Sequence, residues 1–235
     1  MFSKRGAAHI EMISAFLLFF TFVFFMLLIL KPYDTTAVSG YVVSGMYDMF
    51  EKEAATNLTS VFMKADVGGL WPAGTCFYVQ LPNNIFSYGM TESMVTNLAD
   101  AKVSSDLNNP NLNIADPAVK YYKVAISPDF EPDTFGPCNQ LTTGYTVGSL
   151  LERQVISYKS LLLMKNDYFN DYDSLKGRLG VPEVFDFAIL VDGVADADMQ
   201  GVVPEEGDVL ANDYIAEVLL TNGTVVNARI TFKVW

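Results

Sequence analysis

MFSKRGAAHIEMISAFLLFFTFVFFMLLIL, residues Met1–Leu30, places a short basic head (Lys4, Arg5) and Gly6 ahead of a long apolar run, with one carboxylate, Glu11, at its lip. From Met12 to Leu30 there is no formal charge. A helix needs ~20 apolar residues, at ~1.5 Å rise each, to cross the hydrocarbon core of a membrane. The pattern therefore predicts a transmembrane helix over residues 7–31. A cleaved secretory peptide is the rival reading, but its apolar core runs to only ~7–15 residues before a small-residue cleavage site. Lys4 and Arg5 predict a cytoplasmic N-terminus. The expected localisation is thus the cell membrane, single-pass, with the C-terminal domain extracellular.

The remaining chain has the size of one ordinary domain. Its division is read as a basic leader (1–6), the apolar helix (7–31), a helical extension or linker (32–56) and a head (57–235). With 51% hydrophobic and 13% aromatic residues the chain can bury a real core and is no disordered stalk. The net charge of −12 repels phosphate backbones, which argues against a nucleic-acid partner. Only Cys76 and Cys138 are present. In an exported domain two thiols pair more often than they stay free, and a disulfide is expected between them; two separate buried cysteines are the alternative.

Pro32 interrupts the first helix, and Val38, Val42, Met46, Met49 and Phe50 continue at helical spacing toward Thr56. Strands are expected at Thr59–Lys64, Thr75–Leu81 and Val119–Ile126, with breakers at Gly68-Gly69 and Pro72. A short helix is expected over Met90–Lys102. Val147–Met164 reads equally as strand or helix. Tyr168–Leu179 predicts a helix with Asn166 or Asp167 as N-cap and Gly180 as its left-handed stop. Val184–Val191 reads as a buried strand. Ile215–Thr221 and Val225–Val234 form a hairpin around Asn222-Gly223. The expected fold class is α+β: a long N-terminal transmembrane helix followed by a β-rich extracytoplasmic head with one or two short helices.

The inventory restricts the chemistry. His9 is the one histidine and precedes the apolar run, so neither Ser-His-Asp nor Cys-His catalysis is available to the head. A zinc site of His and Cys ligands fails for the same reason, and no Walker or dinucleotide loop occurs. Asp196, Asp198, Gln200 and Gly201 imitate the opening of a calcium loop, but Gly207 stands where a bidentate glutamate belongs. We expect no catalytic, cofactor or metal residues. Asn57-Leu58-Thr59 and Asn222-Gly223-Thr224 match the N-glycosylation pattern, and Asn57, at an expected helix end, is the favoured acceptor.

An ionisable group at the edge of an apolar helix costs a few kcal/mol, roughly 2.5–3.5 near a membrane centre, and by default has a partner. Lys4-Arg5-Gly6, then Ala7-Ala8-His9-Ile10-Glu11, then the apolar run, resembles the class III signal peptide of type IV pilins, especially archaeal type IV pilin-like proteins. The resemblance implies cleavage between Gly6 and Ala7 by a prepilin-type peptidase. It also implies pairing of Glu11 with the free amine of a neighbouring subunit, with the apolar helices packed as a filament core. Ala7 departs from bacterial pilins, which carry Phe after the cut, and His9 is unusual against their pattern. Tyr168-Phe169-Asn170-Asp171-Tyr172, then Leu175-Lys176 and Leu179-Gly180-Val181-Pro182, resembles a segment of archaeal class III signal proteins. The expected function is that of a cell-surface structural or assembly protein of a pilus; the alternative is a monomeric extracellular binding domain such as an adhesin, receptor or envelope-assembly factor.

Overall fold

The structure is a computed structural model that describes residues 4–29, 35–66, 76–82, 92–108, 110–115, 119–131, 133, 138–202 and 209–235. Within the first two helices, side chains are described for 12–26 and from 40 onward. The described chain is β-rich. Helices α1 (Lys4–Ile29) and α2 (Thr35–Ala54) lead into strand β1 (Ala55–Ala65). Then come β2 (Cys76–Gln80), β3 (Ser93–Asn97), β4 (Lys102–Val103), β5 (Ser105–Asn108), β6 (Asn111–Ala115), β7 (Tyr121–Ile126), β8 (Asn139–Gln140) and β9 (Tyr145–Ser157). Helices α3 (Tyr158–Asn170) and α4 (Tyr172–Arg178) precede β10 (Phe187–Asp192), β11 (Leu210–Leu219) and β12 (Val225–Val234).

The expected transmembrane helix is corrected. Among the described residues no helix is long and apolar enough to cross a membrane. The backbone of α1 is helical, but its described side chains run only from Met12 to Met26. The assignments to a single-pass membrane protein, with a signal peptide, a cytoplasmic N-terminus and an extracellular C-terminal domain, therefore have no support. Beyond residue 57 the described head holds two helices, α3 and α4, and α2 packs with them into one core.

That packing follows from spacing. Val43, Met46, Phe50 and Ala54 recur at intervals of three and four residues, so they share one face of α2, and all four are fully buried. The expected stripe is thus displaced: Met49 lies half-exposed. Phe50 meets the Phe232 ring edge-on at 5.2 Å, and Tyr47 stacks on Tyr214 at 3.9 Å. These contacts fix α2 to strands β11 and β12, with Leu161 and Met164 of α3, Leu175 of α4 and Leu179 just after it closing the same core.

Among the described residues eight strands form the main sheet, in the order β10-β12-β11-β9-β1-β7-β3-β4. Its centre is β1, antiparallel to both β9 and β7. Strand residues alternate between faces. Val61, Met63 and Ala65 therefore enter a second core, while Leu58, Ser60 and Phe62 face the opposite side. The β1–β9 register slips between Val61 and Met63. At that irregularity Gly148 is required, because a Cβ there would sit 2.9 Å from the Phe62 carbonyl oxygen.

A smaller sheet, β5-β6-β2-β8, covers the second core with Phe77, Val79, Leu107, Leu112 and Ile114. The Cys76–Cys138 disulfide joins the start of β2 to the residue before β8, as expected from the two-cysteine inventory. The expected helix over Met90–Lys102 is instead β3, a turn and β4; Met90 and Thr91 lie outside the described residues, as do Gly68-Gly69 and Pro72. Pairing of β3 along β7, from Ser93↔Ile126 to Asn97↔Tyr122, overrides the local helical spacing.

The ambiguous stretch Val147–Met164 resolves into both states. Strand β9 ends at Ser157, whose hydroxyl accepts the Ser160 N–H at 3.0 Å and caps α3. Helix α3 therefore starts upstream of Asn166 and Asp167, and neither caps it. Gly180 does adopt the left-handed conformation, φ 69°, expected of a helix stop. The C-terminal hairpin forms around Asn222-Gly223 with Leu219↔Val225 as its last pair, and Gly223 has φ 80°.

Candidate functional site

Three regions hold the residues singled out from the sequence. Lys4, Arg5, Gly6, Ala7, His9 and Glu11 belong to the backbone of α1, and their side chains lie outside those described. The next stretch of α1 is unusual for a folded protein: every described side chain from Met12 to Met26 is exposed. Phe16, Leu17, Leu18, Phe19, Phe20, Phe22, Phe24 and Phe25 are among them. An apolar surface of this extent marks a contact for something else. Thr21 does not interrupt it, because its hydroxyl donates to the Leu17 carbonyl at 2.6 Å and is satisfied within the helix.

The two sequons have unequal settings. Asn57 is half-buried in the central strand, opposite Gln154 of β9. Asn222 stands exposed at the hairpin tip, and so does Thr224. The Asn222 Oδ1 accepts the Thr224 N–H at 3.0 Å, closing a local turn. Sequence reasoning favoured Asn57 because it placed that residue at a helix end. The helix ends three residues earlier, at Ala54, and Asn57 is strand.

Beside the Asn222 turn, the outward face of β1, β7 and β9 forms a groove of about 640 Å³, within the ~300–1,000 Å³ typical of ligand sites. Its apolar floor includes Phe62 and Leu151, 62% and 57% exposed although both lie on interior strands. Its cations are already paired. Lys123 Nζ lies 2.6 Å from Asp100 Oδ1, and Arg153 Nη1 donates to both Glu217 carboxylate oxygens at 2.8 Å. The Arg153 Nε is buried without a hydrogen-bond partner. The sequence predicted strands for Phe62 and Lys123 but gave no sign of the groove. The one available signal was the adjacent apolar pair Val61-Phe62, which a strand must send to opposite faces.

The calcium-like turn is used internally. Asp198 Oδ1 accepts the Val191 N–H at 2.8 Å, and the Asp196 carbonyl accepts from Lys165 Nζ at 2.7 Å. Among the described residues no group of three or more His, Cys, Asp or Glu side chains is placed to hold a metal ion. A separate polar cluster joins α4 to β10. The Tyr172 hydroxyl donates to Asp186 Oδ1 at 3.2 Å and accepts the Phe187 N–H at 3.1 Å. Burial pushes this phenol well above its ordinary range, and the Phe187 N–H opposes that shift. The cluster ties elements together and offers no open reactive group. No family model, curated protein or solved structure matches this chain.

Proposed function

We propose that the chain is a type IV pilin-like structural and assembly subunit, in which a β-rich head is carried by an apolar helix that packs against copies of itself or other pilin-like subunits. One observation carries the reading: the described side chains of α1 are apolar almost throughout and exposed throughout, whereas α2 is anchored in the head core. A surface like that of Met12–Met26 is stable only when covered, and like helices cover it with the same chemistry. Processing between Gly6 and Ala7 by a prepilin-type peptidase would free an amine four residues before Glu11. A carboxylate inside a helix bundle needs such a cation, because an unpaired buried charge costs several kcal/mol. The proposed role is architectural, with no catalytic step.

The groove beside Asn222 favours a second reading, a monomeric binding domain that takes a ligand over Phe62. Electron microscopy and cross-linking of the native protein separate the two. Ordered filaments that disappear in Glu11→Ala while the head stays folded support the assembly role. A chain that remains monomeric, or assembles unchanged in Glu11→Ala, overturns it. N-terminal sequencing that finds Ala7 first supports the peptidase as a partner, and an intact Met1 excludes it.

A further inference from the structure

We propose that Asn222 carries an N-linked glycan whose first sugars lie in the groove over Phe62 and Leu151. The inference does not depend on the assembly role. It starts from the difference between the two sequons. To reach the Asn57 amide, a transferase would have to draw a half-buried residue out of the central strand, which is paired with β9 at that position. Asn222 needs no such opening, since the residue and its Thr224 partner are exposed at a hairpin tip. The turn bond to Thr224 N–H engages Oδ1 and leaves Nδ2, the atom that is modified, outside the turn.

The turn is held at the groove wall. A Cβ on Gly223 would lie 2.8 Å from Met94 Cγ, so the tip rests directly against that side chain, and its left-handed φ of 80° suits glycine. Asn222 itself lines the groove. A sugar on its amide would enter without a long linker and at a high effective concentration.

The groove chemistry suits a sugar better than an anion. With Lys123 spent on Asp100 and Arg153 on Glu217, no net positive charge remains for a phosphate or a fatty carboxylate. What remains is an apolar floor, chiefly Phe62 and Leu151, rimmed by Ser60 and Thr96 hydroxyls. A neutral pyranose has the matching character, a C–H face and an edge of hydroxyls, and it would shield an aromatic ring that is costly to leave in water.

The transfer balances with a polyprenyl-phosphate-linked oligosaccharide as donor and an oligosaccharyl transferase as catalyst. The Nδ2–C1 bond forms, the C1–O bond to phosphate breaks, the lipid phosphate leaves and the amide proton passes to a base on the transferase. Cys76–Cys138 accords with an oxidising compartment in which such transfer occurs.

Glycopeptide mass spectrometry of the full chain from its native host is the test. Sugar mass on the Asn222 peptide, retained in Thr224→Ser and lost in Thr224→Ala, is the expected result. An unmodified Asn222, or sugar on Asn57 alone, overturns the assignment. Nuclear Overhauser contacts between the Phe62 ring and sugar protons are expected in the glycosylated protein. Their absence overturns the seat in the groove even where Asn222 is modified.

Discussion

Arg178, the last residue of α4, reaches Glu53 near the end of α2, with Nε 2.7 Å from Oε1, while its Nη2 lies 2.6 Å from Asp167 Oδ2 of α3. Both carboxylates hold the guanidinium charged and raise its pKa, Asp167 most strongly through its hydrogen bond. One side chain thus ties three helices together. Each pair is partly exposed and worth only ~0.2–1 kcal/mol. Arg178→Ala is therefore expected to cost about 1 kcal/mol, more than Glu53→Gln or Asp167→Asn alone. Urea unfolding of the three variants checks this, and equal effects of all three would show that Arg178 does not bridge.

Tyr172 both donates to Asp186 and accepts from Phe187, and its ring stacks on Phe187 at 5.2 Å. Tyr172→Phe keeps the stacking and removes the acceptor for a part-buried N–H. Leaving such a donor unsatisfied costs about 1–3 kcal/mol. Thermal unfolding is expected to show that loss. Hydrogen exchange at Phe187 is expected to quicken more than exchange elsewhere in β10.

Burial, reinforced by the nearby Asp106, raises the pKa of Glu92 above the ordinary carboxylate range. The native carboxyl therefore holds its proton more tightly than the unfolded one. Its contribution is intact below the unfolded pKa and is lost as pH rises through the native value. Glu92→Gln is expected to be more stable than the wild type near neutral pH, by less than about 1 kcal/mol given the solvent screening. The gap should close toward about pH 3, where both forms are neutral. Denaturation midpoints across that range read the effect directly, and a gap that widens with acid contradicts it.

Removing the disulfide with Cys76→Ser and Cys138→Ser releases a loop closed at a sequence separation of 62. On the chain-entropy estimate the loss is roughly 4 kcal/mol. The effect should be uneven: amides of β2 and β6 lose exchange protection before those of β11 and β12. Uniform loss across both sheets would mean that the two cores unfold as one unit.

What the sequence disclosed was mostly local. Asn222-Gly223 marks its hairpin because the turn needs positive φ, and Gly180 marks a helix end for the same reason. The Cys76–Cys138 pair followed from inventory. Elements decided by distant partners were not legible: β3 exists because β7 offers an edge, and no signal within Met90–Lys102 reports that edge. The start of α3 was hidden because Val155-Ile156 and Leu161 are apolar under either period, leaving the Ser157 cap as a single discreet marker. The groove was hidden for a related reason. Phe62 lies in an expected strand, and only the sheet shows that its face stays open.

The bridge between Cys76 and Cys138 also determines how the molecule would answer a pull. A tensile load applied between α1 and the C-terminal strand passes across the disulfide and bypasses the chain enclosed by it. At ~3.5 Å per residue, about 210 Å of contour is withheld from extension while the bond is intact. Strands β5, β6 and most of β2 lie on that enclosed chain together with β3, β4 and β7 of the main sheet, so none of them is drawn out while α2 and the C-terminal hairpin take the strain.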